Sequence, residues 1–342
     1  MNQPNRILVF QTAFLGDVIL TLPLVQVLHR KFPDAHIDFL TTPRAAEILR
    51  NHPAIHTVLE YDKRGDQRGV RGLLSISRLL RSLRYDVALV PHRSLRSAAV
   101  VAMSGIPIRA GFSTSVGRFL FTDIVAYEKN SHEIKRNLAF LKIFNIESTE
   151  KEFPSLYPSN EDAGVIDQFL TQNKILHDEK IVALAPGSVW NTKRWLPERF
   201  SDLARKISEA GMRVVLVGGT EDEHLCREIE KGVMSANIFV AAGKFSVLQS
   251  AELLRRCKVL VTNDSAPLHI AVAVRTPVVA IFGATAPSFG FAPYGDHDVV
   301  VETNGLLCRP CSIHGGAKCP IGTFECMVKI SADIVFERVM QR

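Results

Sequence analysis

Asp264 and His269 bracket a short polar turn within the stretch 261–269, Val-Thr-Asn-Asp-Ser-Ala-Pro-Leu-His. The turn follows an apolar, strand-like run at 258–261 and opens a helical run of small residues that continues to Ala273. A helix that opens on such a turn presents unpaired backbone N–H groups and the positive end of its dipole, and both attract anions. With a carboxylate and an imidazole held at the same place, the chemistry suggested is binding of a phosphorylated, hydroxyl-rich ligand.

Three more loops carry residues suited to the same task. After the first strand-like run stands Thr12-Ala13-Phe14-Leu15-Gly16-Asp17. Gly16 permits close backbone approach. Asp17 reads in two ways: as a carboxylate favoured at a helix N-terminus, or as a general base for an acceptor hydroxyl. The loop 185–195 supplies backbone and hydroxyl donors at Gly187 and Ser188 and a point charge at Lys193. It lacks the glycine spacing of a Walker loop, and Trp195 reads as packing. Gly218-Gly219-Thr220-Glu221-Asp222-Glu223 permits a tight turn with carboxylates that can accept from ribose hydroxyls.

These loops need strands and helices to place them, and the chain alternates the two. Strands are expected at 6–11, 36–41, 57–61, 86–91 and 109–112, with helices at 17–31, 43–51, 69–83 and 95–103. The pattern fades at 147–160, a polar stretch with Pro154 and Pro158 that reads as a linker. It restarts with strands at 181–185, 213–218, 237–240, 258–261 and 277–282. Such alternation predicts α/β architecture: two Rossmann-like domains, each a parallel sheet covered by helices, facing a central cleft. The expected division is 1–155, 156–330 and a C-terminal helix at 331–342.

The chain has 342 residues, 46% of them hydrophobic and 22% charged, as in soluble globular proteins. It shows no secretory leader and no apolar run long enough to span a bilayer, so a cytoplasmic location is expected. The net charge of +6 is uneven: residues 61–140 hold 14 Lys/Arg against six Asp/Glu. That excess suits an anionic acceptor or membrane surface, with Arg93 and Arg96 as candidate contacts beside Gly16, or simply solvated helix faces. Nucleic acid is disfavoured, because the basic region lacks interleaved aromatics. A dehydrogenase is disfavoured too, because no Gly-x-Gly-x-x-Gly loop follows the first strand.

Taken together and in order, the motifs resemble those of the lipopolysaccharide heptosyltransferases, glycosyltransferase family 9. They are Gly16-Asp17, Pro-Gly-Ser…Lys-Arg-Trp-Leu-Pro at 186–197, Gly219…Glu223, Thr262-Asn263-Asp264-Ser265…His269, and Phe282-Gly283-Ala284-Thr285. Within the family, the second and fourth look closer to the second subgroup than to the first. The resemblance implies a GT-B fold with an acceptor-binding first domain and a donor-binding second one. It implies inverting transfer of heptose from ADP-heptose to the anionic lipopolysaccharide inner core at the cytoplasmic face of the inner membrane, without a catalytic metal. Asp17 then matches the catalytic base, Ser188 and Lys193 the donor-phosphate residues, and Glu223 the ribose carboxylate. Asp264 falls on the donor-sugar side, and Ser265, Ala266 and His269 at the phosphate end. Alternatives are another family 9 transferase with a different acceptor, protein included, a GT-B-like nucleotide-sugar epimerase, or a non-catalytic nucleotide-binding subunit.

Six cysteines divide into two groups. Cys226 and Cys257 sit in helical runs and read as buried. Cys308, Cys311, Cys319 and Cys326 share one Gly- and Pro-containing segment with His314. In a cytosolic chain this spacing suits a structural zinc or iron, with reduced thiols or disulfides as alternatives. The segment loosely resembles the cysteine finger of autotransporter heptosyltransferases. Four thiolates would leave no open position, so an ion here would be structural.

Overall fold

The computed structural model describes residues 3–147 and 150–342. Contacts divide the chain into two compact units, the first ending at Tyr157 and the second starting at Pro158. Unit 1 runs β1 (Arg6–Phe10), α1 (Leu15–Lys31), β2 (His36–Thr41), α2 (Pro43–Ala46), β3 (Thr57–Glu60) and α3 (Gly69–Leu83). It continues through β4 (Val87–Val90), α4 (Leu95–Met103), β5 (Ile108–Phe112), β6 (Asp123–Val125) and α5 (Glu133–Leu138). Its strands are all parallel, in the order β3-β2-β1-β4-β5-β6.

Unit 2 runs α6 (Asn160–Gln172), β7 (Ile181–Ala185), α7 (Pro197–Glu209), β8 (Arg213–Leu216), α8 (Glu223–Val233) and β9 (Ile238–Val240). There follow α9 (Val247–Arg255), β10 (Val259–Asn263), α10 (Ala266–Ala273), β11 (Val278–Phe282), β12 (Val299–Glu302), α11 (Glu325–Val328) and α12 (Ala332–Met340). Its parallel sheet has the order β12-β11-β10-β7-β8-β9. Counted from each unit's own first strand, the two orders are the same doubly wound topology. In each sheet, the strands on either side of the first-to-fourth pair continue in opposite directions. That reversal leaves a crevice beyond the strand C-termini of β1 and β4, and of β7 and β10, where such sheets bind ligands.

The strands β4, β7 and β11 are apolar and buried along their length because helices cover both faces. Unit 1 packs Leu8, Phe10, Leu40, Ile76, Leu80 and Val90 into one cluster. Unit 2 gathers Leu184, Trp195, Phe200, Leu216, Val261 and Ile281 into another, which includes Val335 and Val339 of α12. The C-terminal helix is thus part of unit 2, not a separate element. Edge strands β6 and β12 escaped the sequence reading, being short and, in β6, of mixed polarity. Helices α5 and α6 were missed as well. The expected helix at 43–51 is shorter, ending in a 3-10 turn at Glu47–Leu49.

Of the expected linker, residues 151–159 form neither helix nor strand, and the part at 152–155 is bonded to α1. Glu152 pairs with Arg30, and the Gln26 amide donates to the Phe153 carbonyl at 2.9 Å and accepts from the Ser155 N–H at 3.0 Å. Ser148 and Thr149, within that linker, lie outside the described residues. No helix among the described residues is long and apolar enough to cross a membrane.

Candidate active site

In unit 1 the crevice is built from the loops after β1 and β4. Asp17 lies in the first turn of α1, and its Oδ2 accepts the Phe14 N–H at 3.1 Å, closing the helix start. Below it, Thr21 Oγ1 donates to the Asp17 carbonyl, and Asn137 of α5 donates to the Leu20 carbonyl. The second of these bonds ties α5 to α1. Burial, reinforced by the charge of Glu133, raises the Asp17 pKa to about 7; the Phe14 N–H and Arg93 pull the other way. The first of the two readings, a carboxylate closing its helix start, is what these bonds show, and burial holds the same group near neutrality.

Arg93 sits over the face of Tyr127, 4.6 Å from the ring centroid, and Arg136 lies at the same distance. Arg136 is bound to Glu133 at 2.7 Å and to the carbonyls of Glu128 and Lys129. Arg96 is committed within the fold: its guanidinium donates to Tyr61 Oη and to the carbonyls of Gln67 and Gly69. Gly16 is buried at the start of α1. A polar chain that the sequence reading did not single out runs beside this group. Lys63 Nζ donates to the Thr12 carbonyl at 2.6 Å and to its hydroxyl at 3.1 Å. His92 Nδ1 lies 3.1 Å from that hydroxyl and 2.9 Å from Ser97 Oγ. Burial lowers both cations, Lys63 to about 8 and His92 to about 4, so His92 is neutral.

In unit 2 the equivalent crevice lies beyond β7 and β10. Lys193 Nζ and Asp264 Oδ2 are 2.7 Å apart, and Thr285 Oγ1 donates to the same oxygen at 2.7 Å. The pair is largely buried, with side-chain exposures of 14% and 9%. Asn263, fully buried at the end of β10, fastens one loop to the other: its Oδ1 accepts the Trp195 N–H at 3.0 Å, and its Nδ2 donates to the Pro186 carbonyl at 2.8 Å. The sequence reading gave Asn263 no role, although its place between a buried strand and Asp264 was the available signal. Trp195 is packing, as its type suggested: it is 1% exposed, donates to the Ile330 carbonyl and meets Phe200 edge-on.

Ser265 precedes α10 in extended conformation without a side-chain cap bond, and Ala266 begins the helix ahead of Pro267. His269 is buried on α10. Ser188 is partly buried, and its carbonyl accepts from Arg194 Nε at 2.7 Å. A Cβ on Gly187 would stand 2.1 Å from Asp222 Oδ1, so the glycine leaves room for that carboxylate. Glu223 begins α8 exposed, 3.5 Å from Arg227. Asp222, passed over in favour of Glu223, bonds the Gly219 N–H at 3.1 Å and lies nearer the Gly187 loop.

Cys308, Cys311 and Cys319 occupy the segment between β12 and α11, with Cys311 exposed, and Cys326 is buried in the first turn of α11. The other three thiols contribute, after burial, to raising Cys326, and Cys308 and Cys319 do so for Cys311. Cys319 moves the other way, lowered by the N–H groups of Phe324, Ile321, Gly322 and Thr323 turned toward its sulfur. In kind, this donor set fits a thiolate-seeking ion. Among the described residues, however, no three His, Cys, Asp or Glu side chains are drawn together as a ready metal site.

The family model for glycosyltransferase family 9 (heptosyltransferase) matches residues 73–316. Lipopolysaccharide heptosyltransferase 2 of Escherichia coli is 26% identical over 83% of this chain and 84% of its own length. The family 9 glycosyltransferase of Veillonella parvula superposes with a TM-score of 0.89 at 25% identity, covering 99% of this chain and 98% of that one. The E. coli ADP-heptose LPS heptosyltransferase II gives 0.80 at 24% identity over 98% and 99%. The fold is GT-B, built from two Rossmann-like α/β units. With its five motif loops at strand C-termini, three of them at the crevices the sheet topology leaves open, the chain belongs to glycosyltransferase family 9 and is a glycosyltransferase.

Proposed function

We propose that the chain transfers L-glycero-D-manno-heptose from ADP-heptose to the inner core of lipopolysaccharide, with inversion, in the manner of the second heptosyltransferase subgroup. The observation that carries this reading is a pair of opposites: at the same topological position, one sheet holds a carboxylate poised near pH 7 and the other a lysine. Asp17 takes the proton of the acceptor hydroxyl as that oxygen bonds to the anomeric carbon. The bond from that carbon to the ADP oxygen breaks on the opposite face. Negative charge grows on the departing diphosphate, and Lys193 with the uncapped start of α10 stabilises it where it forms. Asp264 holds Lys193 in place until the diphosphate competes for the ammonium. Ser188, Gly187, Ser265, Ala266 and His269 line the donor side, with Glu223 at the ribose; Arg93 and Gly16 belong to the acceptor side.

The acceptor is anionic and lipid-borne, which suits the excess of basic residues at 61–140 and a peripheral place at the cytoplasmic face of the inner membrane. Mass spectrometry of products formed from ADP-heptose and a truncated core acceptor tests donor, acceptor and reaction together. A heptose-length mass gain on the acceptor is expected. Gain only on a different acceptor, a protein included, would replace this acceptor with that one, and loss of donor without acceptor would indicate an epimerase. The four cysteines carry a second, separate proposal, a structural zinc or iron, favoured by the amide groups turned toward Cys319. Elemental analysis of freshly purified protein is expected to find about one equivalent; less than about a tenth removes the metal.

A further inference from the structure

The carboxylate of Asp264 has two partners, Lys193 and Thr285, and the cysteine segment grips the backbone beside each of them. On the lysine side, Thr192 and Gly316 form a reciprocal pair. The Thr192 N–H donates to the Gly316 carbonyl at 3.0 Å, and the Gly316 N–H donates to Thr192 Oγ1 at 2.7 Å. Thr192 is 4% exposed, so this pair is shielded from water. The neighbouring Gly315, with φ of +82°, lies so close that a Cβ there would stand 2.9 Å from Lys193 Cγ. The stem of the lysine thus runs against the backbone of the cysteine segment. On the threonine side, Arg309 donates to the Thr285 carbonyl at 2.9 Å, while Glu302 at 2.7 Å and the Thr303 carbonyl hold the guanidinium. The Cys311 N–H adds a bond to the Ala284 carbonyl at 2.8 Å.

We infer that the cysteine segment is the positioning frame of the donor-phosphate site, acting on Lys193 through Thr192 and Gly316, and on Thr285 through Arg309. Thr192 and Arg309 are positioning residues; neither needs to touch the donor. A lysine stem has four rotatable bonds, and its charge is useful to a leaving diphosphate only at one place. The Gly315-Gly316 backbone removes part of that freedom before ligand arrives. The inference rests on the donor reading of Lys193 given above.

Calorimetric titration of the full chain with ADP separates the two. Lys193→Ala is expected to weaken ADP binding at least tenfold; unchanged binding would end the donor reading and this inference with it. Thr192→Val keeps the bulk of the side chain but removes the acceptor for Gly316, and should weaken ADP about fivefold, the value of one hydrogen bond. Thr192→Ser should restore it. The deciding measurement is the double variant. If Thr192 works through Lys193, adding Thr192→Val to Lys193→Ala costs nothing further. An unchanged affinity in Thr192→Val with Lys193→Ala impaired would overturn the inference while leaving the donor site standing. So would a fivefold loss that persists on the Lys193→Ala background. Gly315→Ala approaches the same lysine stem from the other side and should reproduce the loss.

Discussion

The two units repeat one topology and each puts a carboxylate at the crevice its sheet leaves open, Asp17 after the first strand and Asp264 after the fourth, yet the two are held in opposite ways. Asp264 is matched by an ammonium and a hydroxyl on one oxygen. Asp17 has a backbone N–H and a more distant guanidinium set against burial and a second carboxylate, and its pKa rises to about 7. A place at the crevice therefore does not decide what an acid does; its immediate partners do. A paired carboxylate holds a cation, whereas an undercompensated one can accept a proton. The largest test of the contrast is Asp17→Asn. It keeps the shape of the helix start but removes the base, so turnover should fall about 10²- to 10⁴-fold with ADP affinity unchanged. Full turnover with purified acceptor would remove Asp17 from the chemistry.

The pH profile probes the same contrast at its cause. Asp17 must be ionised to act, so kcat/KM should fall as pH drops through about 7. Glu133 raises that value and Arg93 lowers it. Glu133→Gln should therefore move the acid limb to lower pH, and Arg93→Gln should move it to higher pH. A limb that stays in place in both variants would assign the titration to another group.

How much of this was legible beforehand follows from the kind of interaction involved. The strands read well, because burial on both faces leaves continuous apolar runs such as Ile181–Ala185. The loops at their ends were placed as well, since glycine, serine and acid after a strand mark a turn or a helix start. Partners distant in sequence were out of reach. Nothing near Asp17 announces Glu133, and nothing near Lys193 announces Gly316. Edge strands such as Asp123–Val125 are short and lack a pattern. Whether an arginine faces substrate or clamps a backbone also depends on partners that a local reading does not see.

On the paired side, Asp264→Ala should destabilise unit 2 and impair donor binding together. It leaves the Lys193 charge largely buried without its carboxylate and strands the Thr285 hydroxyl. The expected cost is about 2 kcal/mol, below the figure for fully buried pairs because both side chains keep some solvent contact. Asp264→Asn can still accept from Thr285 and should cost less. Denaturant unfolding reads the order of the two. Equal effects would mean that the lysine, not the hydroxyl, accounts for the whole loss.

The smallest effect expected belongs to Arg96, and it sharpens the division between basic residues that bind and those that brace. Arg96 lies in the basic stretch beside Arg93, but its guanidinium is occupied by Tyr61, Gln67 and Gly69, whereas Arg93 stands over Tyr127 and reaches the field of Asp17. Arg96→Gln should cost about 1 kcal/mol of stability, since only part of three hydrogen bonds is regained by the amide, with acceptor KM changed less than twofold. Arg93→Gln should do the reverse, raising acceptor KM severalfold at little cost to folding. Were Arg96→Gln instead to raise acceptor KM as much as Arg93→Gln, the guanidinium would have to leave its carbonyls during turnover. The braced loop at 61–69 would then move with the acceptor rather than frame it.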